Sequence, residues 1–253
     1  MCIRDSRVIC RRAIENDELL VNPTLNLRLP EAGGTRERAA SPDEAAELLA
    51  ALHEVDQPLW ATAFFGGIRR GELRGLRVAD VNFPDATVIH VQQSWDDVAG
   101  AIAPKSKSGG RKVPVPAVLR RYLLEQKVRT GRAGPDLLFG RTASDPFTST
   151  HVRARALAAW SAANAERKER NESPLEPITL HECRHTYVSM MHAAGVPLER
   201  IGDYAGHSGT YMTERYRHLV EGQGAKDVAE LDAFLTGAHA GARTRSEGRN
   251  RPT

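Results

Sequence analysis

The chain has 253 residues, 41% of them apolar, which is enough for one or two domains around a full-sized hydrophobic core. Its three cysteines include no C-x-x-C pair, which argues against a disulfide framework or a cysteine zinc site and favours a reducing cytoplasm. The net charge of +3 excludes no class of partner. No apolar run approaches the roughly 18 residues of a membrane span, and no signal-peptide core is present. We therefore expect no membrane partner.

The N-terminal residues predict the end of a larger unit. The stretch RRAIENDELLVNPTLNLRLP, residues 11–30, indicates one or two final helical turns and then an extended exit that contains prolines. The polar, glycine-containing segment EAGGTRERAA reads as a linker. We therefore expect residues 1–34 to be the remnant of a preceding domain with its linker, and the chain to be truncated at its N-terminus.

Regular helical signals begin at Ser41. Ser41, Pro42 and Glu44 supply an N-cap, a first-turn proline and a capping-box acid, and apolar residues follow at helical spacing. The stretches LWATAFFGG and RRGELRGLRV predict a second helix and a short third one, separated by a glycine pair. The first part of the domain is therefore predicted to be helical.

Short β-type runs follow these helices. ATVIHVQQS, GAIAP and RKVPVP predict strands, and the polar turn KSKSGG separates the last two. From Gly100 to Arg132 there are nine Lys or Arg and one acid, which fits either a solvated surface or a face that binds a polyanion. A small antiparallel sheet between helical blocks is predicted.

The rest of the chain is predicted to be helical up to a basic tail. The predicted helices lie near 117–129, 149–167, 180–194, 197–205, 209–219 and 226–236. The tail, 238–253, is poor in large apolar residues, so we expect it to be disordered.

The stretch ITLHECRHTYVSMMHAAG allows two incompatible interpretations. His181, Glu182 and His185 form H-E-x-x-H, which on a helix would bind zinc through two imidazoles with the glutamate as general base. The same letters form H-x-x-R, in which His181 and Arg184 share a helical face and could both contact a phosphate. The first interpretation predicts a zinc hydrolase and the second a phosphoryl-transfer enzyme.

The residues around this motif favour the phosphate interpretation. The longer metzincin pattern needs Gly and His where Val188 and Met191 stand. Thr179 and Glu182 form a T-x-x-E capping box, which gives the glutamate a structural role at the start of a helix. A helix N-terminus with a guanidinium beside it is suited to binding an anion.

Three further segments accompany H-x-x-R in a defined order. They are GGIRRGELRGLRVADVN (66–82), PKSKSGGRKVPVP (104–116) and YAGHSGTYMTERYRHL (204–219). Together the four resemble the tyrosine recombinase, or phage integrase, family, from about residue 35 to residue 237. The resemblance implies an α+β fold in which a mainly helical catalytic domain, 35–237, contains a small antiparallel β-sheet. Residues 1–34 would then be the remnant of an N-terminal core-binding domain.

The resemblance also implies a catalytic set with one residue from each matched position. That set is Arg69, Lys107, His181, Arg184, His207 and Tyr216. Lys105 is close enough to Lys107 to be the hairpin lysine instead, and Tyr211 is the alternative nucleophile to Tyr216. Glu72 is the acidic neighbour expected to hold the first arginine in place.

The chemistry of such a site explains its residue types. Arg69 and Arg184 would bind the non-bridging oxygens of a phosphodiester, because guanidinium groups donate paired N–H groups and stay charged. Tyr216 would attack phosphorus to give a 3′-phosphotyrosyl link, with His181 as proton acceptor and His207 as a further donor. The hairpin lysine would protonate the leaving 5′ oxygen. No step needs a metal or a cofactor.

The resemblance further implies double-stranded DNA as partner and strand exchange by four protomers. It also implies a cytoplasmic, nucleoid-associated protein of a prokaryote or a phage. The segment AKDVAELDAFLTG would pack on its own core or on a neighbouring protomer. Two other functions remain open at this point: a DNA-binding remnant of an integrase without productive catalysis, and an HExxH zinc hydrolase.

Overall fold

The computed structural model describes residues 3–25, 27, 38–103 and 110–206. The chain divides into two compact units, Met1–Glu37 and Arg38–Thr253. The helices predicted at 209–219 and 226–236, and the tail 238–253, lie outside the described residues.

The first unit contains one helix, α1 (Ile3–Glu15), among its described residues. The helix begins well before the one or two turns predicted from the sequence, and Asp17 follows it with a positive φ of 59°. The connection after it is fixed by Asn22, whose side-chain oxygen accepts from the Thr24 amide at 2.9 Å. Arg7 of α1 donates from Nε to the Thr24 carbonyl at 3.3 Å.

The second unit confirms the predicted mainly helical α+β class. Its described helices are α2 (Pro42–Ala50), α3 (Gln57–Gly66), α4 (Arg70–Gly75), α5 (Ala117–Thr130), α6 (Ser149–Glu169), α7 (Leu180–Ala193) and α8 (Leu198–Ala205). A 3-10 helix occupies Val78–Asp80. The described strands are β1 (Val88–Val91), β2 (Ser94–Asp96), β3 (Gly100–Ile102) and β4 (Arg111–Pro114). No helix of the described residues is long and apolar enough to cross a membrane.

The start of α2 follows the sequence signals in part. The Ser41 side chain accepts from the Glu44 amide at 3.1 Å, and Pro42 opens the helix, as predicted. The Glu44 carboxylate, however, forms an ion pair with Arg38. Glu44 therefore contributes its amide to the cap, while its charge ties the start of this unit to α2.

The strands form two antiparallel pairs, one enclosed by the other in the chain. β1 pairs with β4, with Val88 opposite Pro114 and Val91 opposite Arg111. β2 pairs with β3 in the same antiparallel sense. The antiparallel pairing is as predicted, but β2 was missed. The strand has only three residues, Ser-Trp-Asp, and its single strand-favouring residue, Trp95, lies between Ser and Asp, so it gives little strand signal.

The core is organised around α3, which packs against α2, α4, α5 and α7. Nearly every residue of α3 is buried, as expected for a helix that is apolar on all sides. Trp60 of α3 meets Trp160 of α6 edge to face, with ring centroids 5.2 Å apart. The Trp160 indole N–H donates to the Leu48 carbonyl at 2.9 Å. The connection that follows α3 therefore begins at a tightly packed helix of the core.

Candidate active site

The first arginine of the predicted site, Arg69, lies in the connection between α3 and α4. Gly67 ends α3 in the left-handed region, with φ 60°, and a Cβ atom there would lie 2.3 Å from the ring of Tyr187 on α7. Glycine is required because α7 packs this closely. The Arg69 amide and Nη1 donate to the two carboxylate oxygens of Glu72, at 2.8 and 2.9 Å. Glu72 therefore holds Arg69, as predicted.

Glu72 has a second cationic partner that the sequence analysis missed. Arg111, the first residue of β4, donates from Nη1 and Nη2 to the two oxygens of the same carboxylate, both at 2.8 Å. Burial by itself would raise the pKa of Glu72, but the hydrogen bonds and charges of Arg111 and Arg69 outweigh it and lower the pKa to about 2. Glu72 is therefore a buried anion shared by two arginines.

The second arginine, Arg184, lies beneath the surface of the site. Arg184 is only 4% exposed, and its Nη1 donates to the Gly67 carbonyl at 2.8 Å. Nη2 donates to the Ala205 carbonyl at the end of α8. Arg69 donates from its own Nη2 to the next carbonyl, that of Gly206. The two predicted catalytic arginines, from distant parts of the chain, therefore converge on two consecutive carbonyls.

The start of α7 decides what Glu182 does. The Thr179 hydroxyl accepts from the Glu182 amide at 3.2 Å, and the Glu182 carboxylate accepts from the Thr179 amide at 2.8 Å. This reciprocal pair is the predicted capping box. Glu182 is 4% exposed, while the rings of His181 and His185 stand edge to face at 4.7 Å. Within the described ranges, no group of three or more His, Cys, Asp or Glu is arranged to hold a metal ion.

His181 lies with Arg69 in the wall of a cleft of about 550 Å³. Arg70 and Arg153 also line this cleft. Partial burial and the charges of Arg184 and Arg69 lower the pKa of His181, against the opposing charge of Glu182. The imidazole is therefore neutral near pH 7, which suits a proton acceptor beside cations.

The remaining predicted site residues, Lys107, His207 and Tyr216, lie outside the described residues, as do the alternatives Lys105 and Tyr211. Their places in the chain are nevertheless bounded by described elements. β4 begins soon after the lysine-bearing segment 104–109, and α8 ends just before His207. Arg111 of β4 donates to Glu72, and the Ala205 carbonyl of α8 accepts from Arg184.

Comparison with known families gives this arrangement its context. Residues 39–222 match the model of the phage integrase family. The chain belongs to the phage integrase family. The matched range contains all six site residues predicted from the sequence.

Curated relatives within the phage integrase family are distant. A tyrosine recombinase XerC-like protein of Caldanaerobacter subterraneus subsp. tengcongensis is 25% identical, over 88% of this chain and 63% of the relative. An integrase of Streptomyces ambofaciens is 27% identical, over 83% of this chain and 57% of the relative. The chain thus spans less than two thirds of the length of these relatives.

Solved structures share the phage integrase fold. The Tn1549 transposon integrase in complex with a circular intermediate DNA superposes with a TM-score of 0.65 at 21% identity, covering 85% of this chain and 72% of that one. A lambda integrase tetramer bound to a Holliday junction gives a TM-score of 0.52 at 18% identity, covering 85% and 57%. At these identities the likeness establishes the fold.

Proposed function

We propose that this chain is the catalytic part of a site-specific DNA recombinase, which cleaves and rejoins double-stranded DNA through a 3′-phosphotyrosyl intermediate without a metal. The observation that carries the proposal is the convergence of Arg69 and Arg184 on the consecutive carbonyls of Ala205 and Gly206. The next residue in the chain is His207. Two members of the predicted catalytic set therefore meet at the end of α8, and a third is the residue that follows in the sequence.

The exposure of the two arginines gives them different tasks. The Arg69 side chain is 42% exposed in the cleft wall, where it can bind a non-bridging phosphate oxygen. Arg184 is buried below, and its charge strengthens the positive potential at the same place. A direct contact between Arg184 and the phosphate stays a prediction.

The proton transfers are assigned to His181 and the hairpin lysine. A tyrosine hydroxyl has an ordinary pKa of about 10, so attack by Tyr216 requires neighbouring cations and a proton acceptor. His181 is neutral near pH 7 and lies in the same cleft wall as Arg69, which fits that role. Lys107 is proposed as the general acid for the 5′ oxygen, with Lys105 as its alternative.

The capping contact of Glu182 argues against the zinc hydrolase. In an HExxH enzyme the glutamate must face the metal-bound water as general base. Here its carboxylate is buried and bonded to the Thr179 amide at the start of α7. The H-x-x-R interpretation is therefore preferred.

The proposed partners and domain limits rest on the family. The Tn1549 integrase and lambda integrase structures contain DNA, and one lambda integrase complex is a tetramer. We propose DNA and a tetramer on DNA for this chain as well, in a prokaryotic or phage setting. For the catalytic domain proposed over 35–237, the unit boundary at Arg38 and the family match over 39–222 support a start near residue 35.

The decisive experiment traps the covalent intermediate. A pool of nicked duplexes with randomised sequence around the nick is incubated with the full chain, and denaturing gels are used to detect protein linked to DNA. We expect an adduct with the wild type and with Tyr211→Phe, but none with Tyr216→Phe, which should still bind DNA. Adduct formation by Tyr216→Phe would refute the nucleophile. DNA binding by the wild type without any adduct would favour the non-catalytic remnant.

A further inference from the structure

Arg111 stands in the catalytic core without belonging to the predicted catalytic set. We propose that Arg111 is a positioning residue. It shares the Glu72 carboxylate with Arg69 and so keeps the Arg69 guanidinium turned toward the cleft that Arg69 and His181 line. The inference rests on the proposed function, because it assigns Arg111 a part in that same site. It is carried by the hydrogen bonds, exposure and charge of the three side chains.

The Glu72 carboxylate is fully occupied by these two arginines. Oε1 accepts from Nη1 of Arg69 at 2.9 Å and from Nη1 of Arg111 at 2.8 Å. Oε2 accepts from the Arg69 amide and from Nη2 of Arg111, both at 2.8 Å. The Arg111 contact is bidentate, whereas the Arg69 guanidinium uses only one nitrogen on the carboxylate. Arg69 therefore retains donors for other partners.

Exposure separates the roles of the two arginines. The side chain of Arg111 is 5% exposed and that of Glu72 is 8% exposed, so neither can reach a phosphate in the cleft. The side chain of Arg69 is 42% exposed and lines the cleft. Two cations around one anion leave one net positive charge, and the geometry places that charge on the exposed guanidinium.

Loss of Arg111 would change the position of Arg69. Glu72 would then be a buried carboxylate with one described cationic partner, and a bidentate contact with Arg69 would become the favoured arrangement. Arg69 would turn into the protein and away from both the cleft and the Gly206 carbonyl. The phosphate would lose its exposed arginine although Arg69 itself is still present.

Arg111 also connects the segments that flank the undescribed site residues. Its Nε donates to the Tyr204 carbonyl of α8 at 2.6 Å, and a Cβ atom on Gly206 would lie 3.0 Å from its Nη1. As the first residue of β4, it closely follows the segment 104–109 that contains Lys107. One buried guanidinium thus anchors α4, α8 and the strand after the lysine segment.

The test compares Arg111→Met and Arg111→Lys with the double variant Glu72→Gln/Arg111→Met. Single-turnover adduct formation, DNA affinity and unfolding by urea are measured for each. We expect Arg111→Met to slow adduct formation by about 100-fold, while DNA affinity at low salt changes by no more than about threefold. Arg111→Lys should recover part of the rate, because lysine restores the charge without the bidentate contact.

The double variant separates positioning from stability. It leaves no buried charge unpaired at this place, so it should be more stable than Arg111→Met. Its cleavage should stay slow, because glutamine cannot hold the Arg69 guanidinium as an anion does. Recovery of the wild-type rate together with stability, or a wild-type rate in Arg111→Met itself, would overturn the proposal.

Arg155→Met is the matched control. Arg155 forms a bidentate pair with the buried Asp56, at 2.9 Å from Nε and 2.5 Å from Nη2, in a different cleft. It lies two positions from Arg153 on α6, so the two side chains point to nearly opposite sides of the helix. This variant should lose stability but cleave DNA at the wild-type rate.

A readout without DNA keeps the inference separate from the proposed function. The charge of Arg69 contributes to lowering the pKa of His181, so withdrawal of Arg69 in Arg111→Met should raise that pKa, as measured by NMR titration of the imidazole. Arg155→Met should leave it unchanged. If the wild type forms no adduct but this shift occurs, the proposed function fails and the positioning role stands. An unchanged titration in Arg111→Met would refute the positioning role.

Discussion

The Glu72 carboxylate should make the second unit sensitive to acid. Its pKa in the folded protein is about 2, below the ordinary value of 4.5, so its stabilisation is present above about pH 4.5 and is lost as the pH falls toward 2. One unit of pKa corresponds to about 1.4 kcal/mol, so the lowered pKa of Glu72 stabilises the folded protein by about 3 kcal/mol at neutral pH. About 2 kcal/mol of this should be lost by pH 3.

The assay is urea unfolding at pH 6 and at pH 3, followed by tryptophan fluorescence, since Trp60 and Trp160 are buried in the core of this unit. The wild type should lose about 2 kcal/mol more than Glu72→Gln/Arg111→Met between the two pH values, because the variant lacks the titrating group. Glu54→Gln, which changes an exposed acid, should behave like the wild type. Equal losses in the wild type and the double variant would refute the reasoning.

Three further outcomes are expected for the site. The rate of adduct formation should fall on the acid side with an inflection below pH 6.5, because the pKa of His181 is lowered and only the neutral imidazole accepts a proton. His181→Gln should lack that inflection, and a wild-type profile with no inflection below pH 6.5 would contradict this role. Glu182→Gln should lower the free energy of unfolding by about 1 kcal/mol, because it weakens the helix cap. Adduct formation should be insensitive to EDTA. Stoichiometric zinc in the protein, with loss of activity when it is removed, would reverse the choice between the two motifs. A 5′-bridging phosphorothiolate substrate should rescue the cleavage rate of Lys107→Ala, because its leaving group needs no proton from a general acid. Lys105→Ala should show weaker, salt-sensitive DNA binding. The opposite pattern would give Lys105 the role of general acid.

The elements that the sequence predicted well are those with local signals. The start of α2 at Ser41 and the capping box of Thr179 and Glu182 depend on residues three positions apart, so the pattern and the contact are the same information. β2 could not be found in this way, because three residues with one strand-favouring side chain, Trp95, form no alternating pattern, and the strand is defined by its pairing with β3.

The two arginines that bind Glu72 show the same limit within the site. The contact of Arg69 with Glu72 spans three residues and could be expected from spacing. Arg111 lies 39 residues from Glu72, in a basic segment where nine cations give no indication of which one is buried. The signal that could have found it is the burial of Glu72, since a buried carboxylate requires more compensation than one half-exposed arginine provides.

The close packing at Gly67 limits how this domain can be recombined in the laboratory. The ring of Tyr187 occupies the space of the missing Cβ, and Arg184 binds the carbonyl of the same glycine. The turn that carries Arg69 and the helix α7 therefore form one interlocking piece, although they are far apart in the chain. A chimera that takes α3 and its turn from a relative but keeps the native α7 should misfit at this point, whereas exchanging both together should give a folded hybrid.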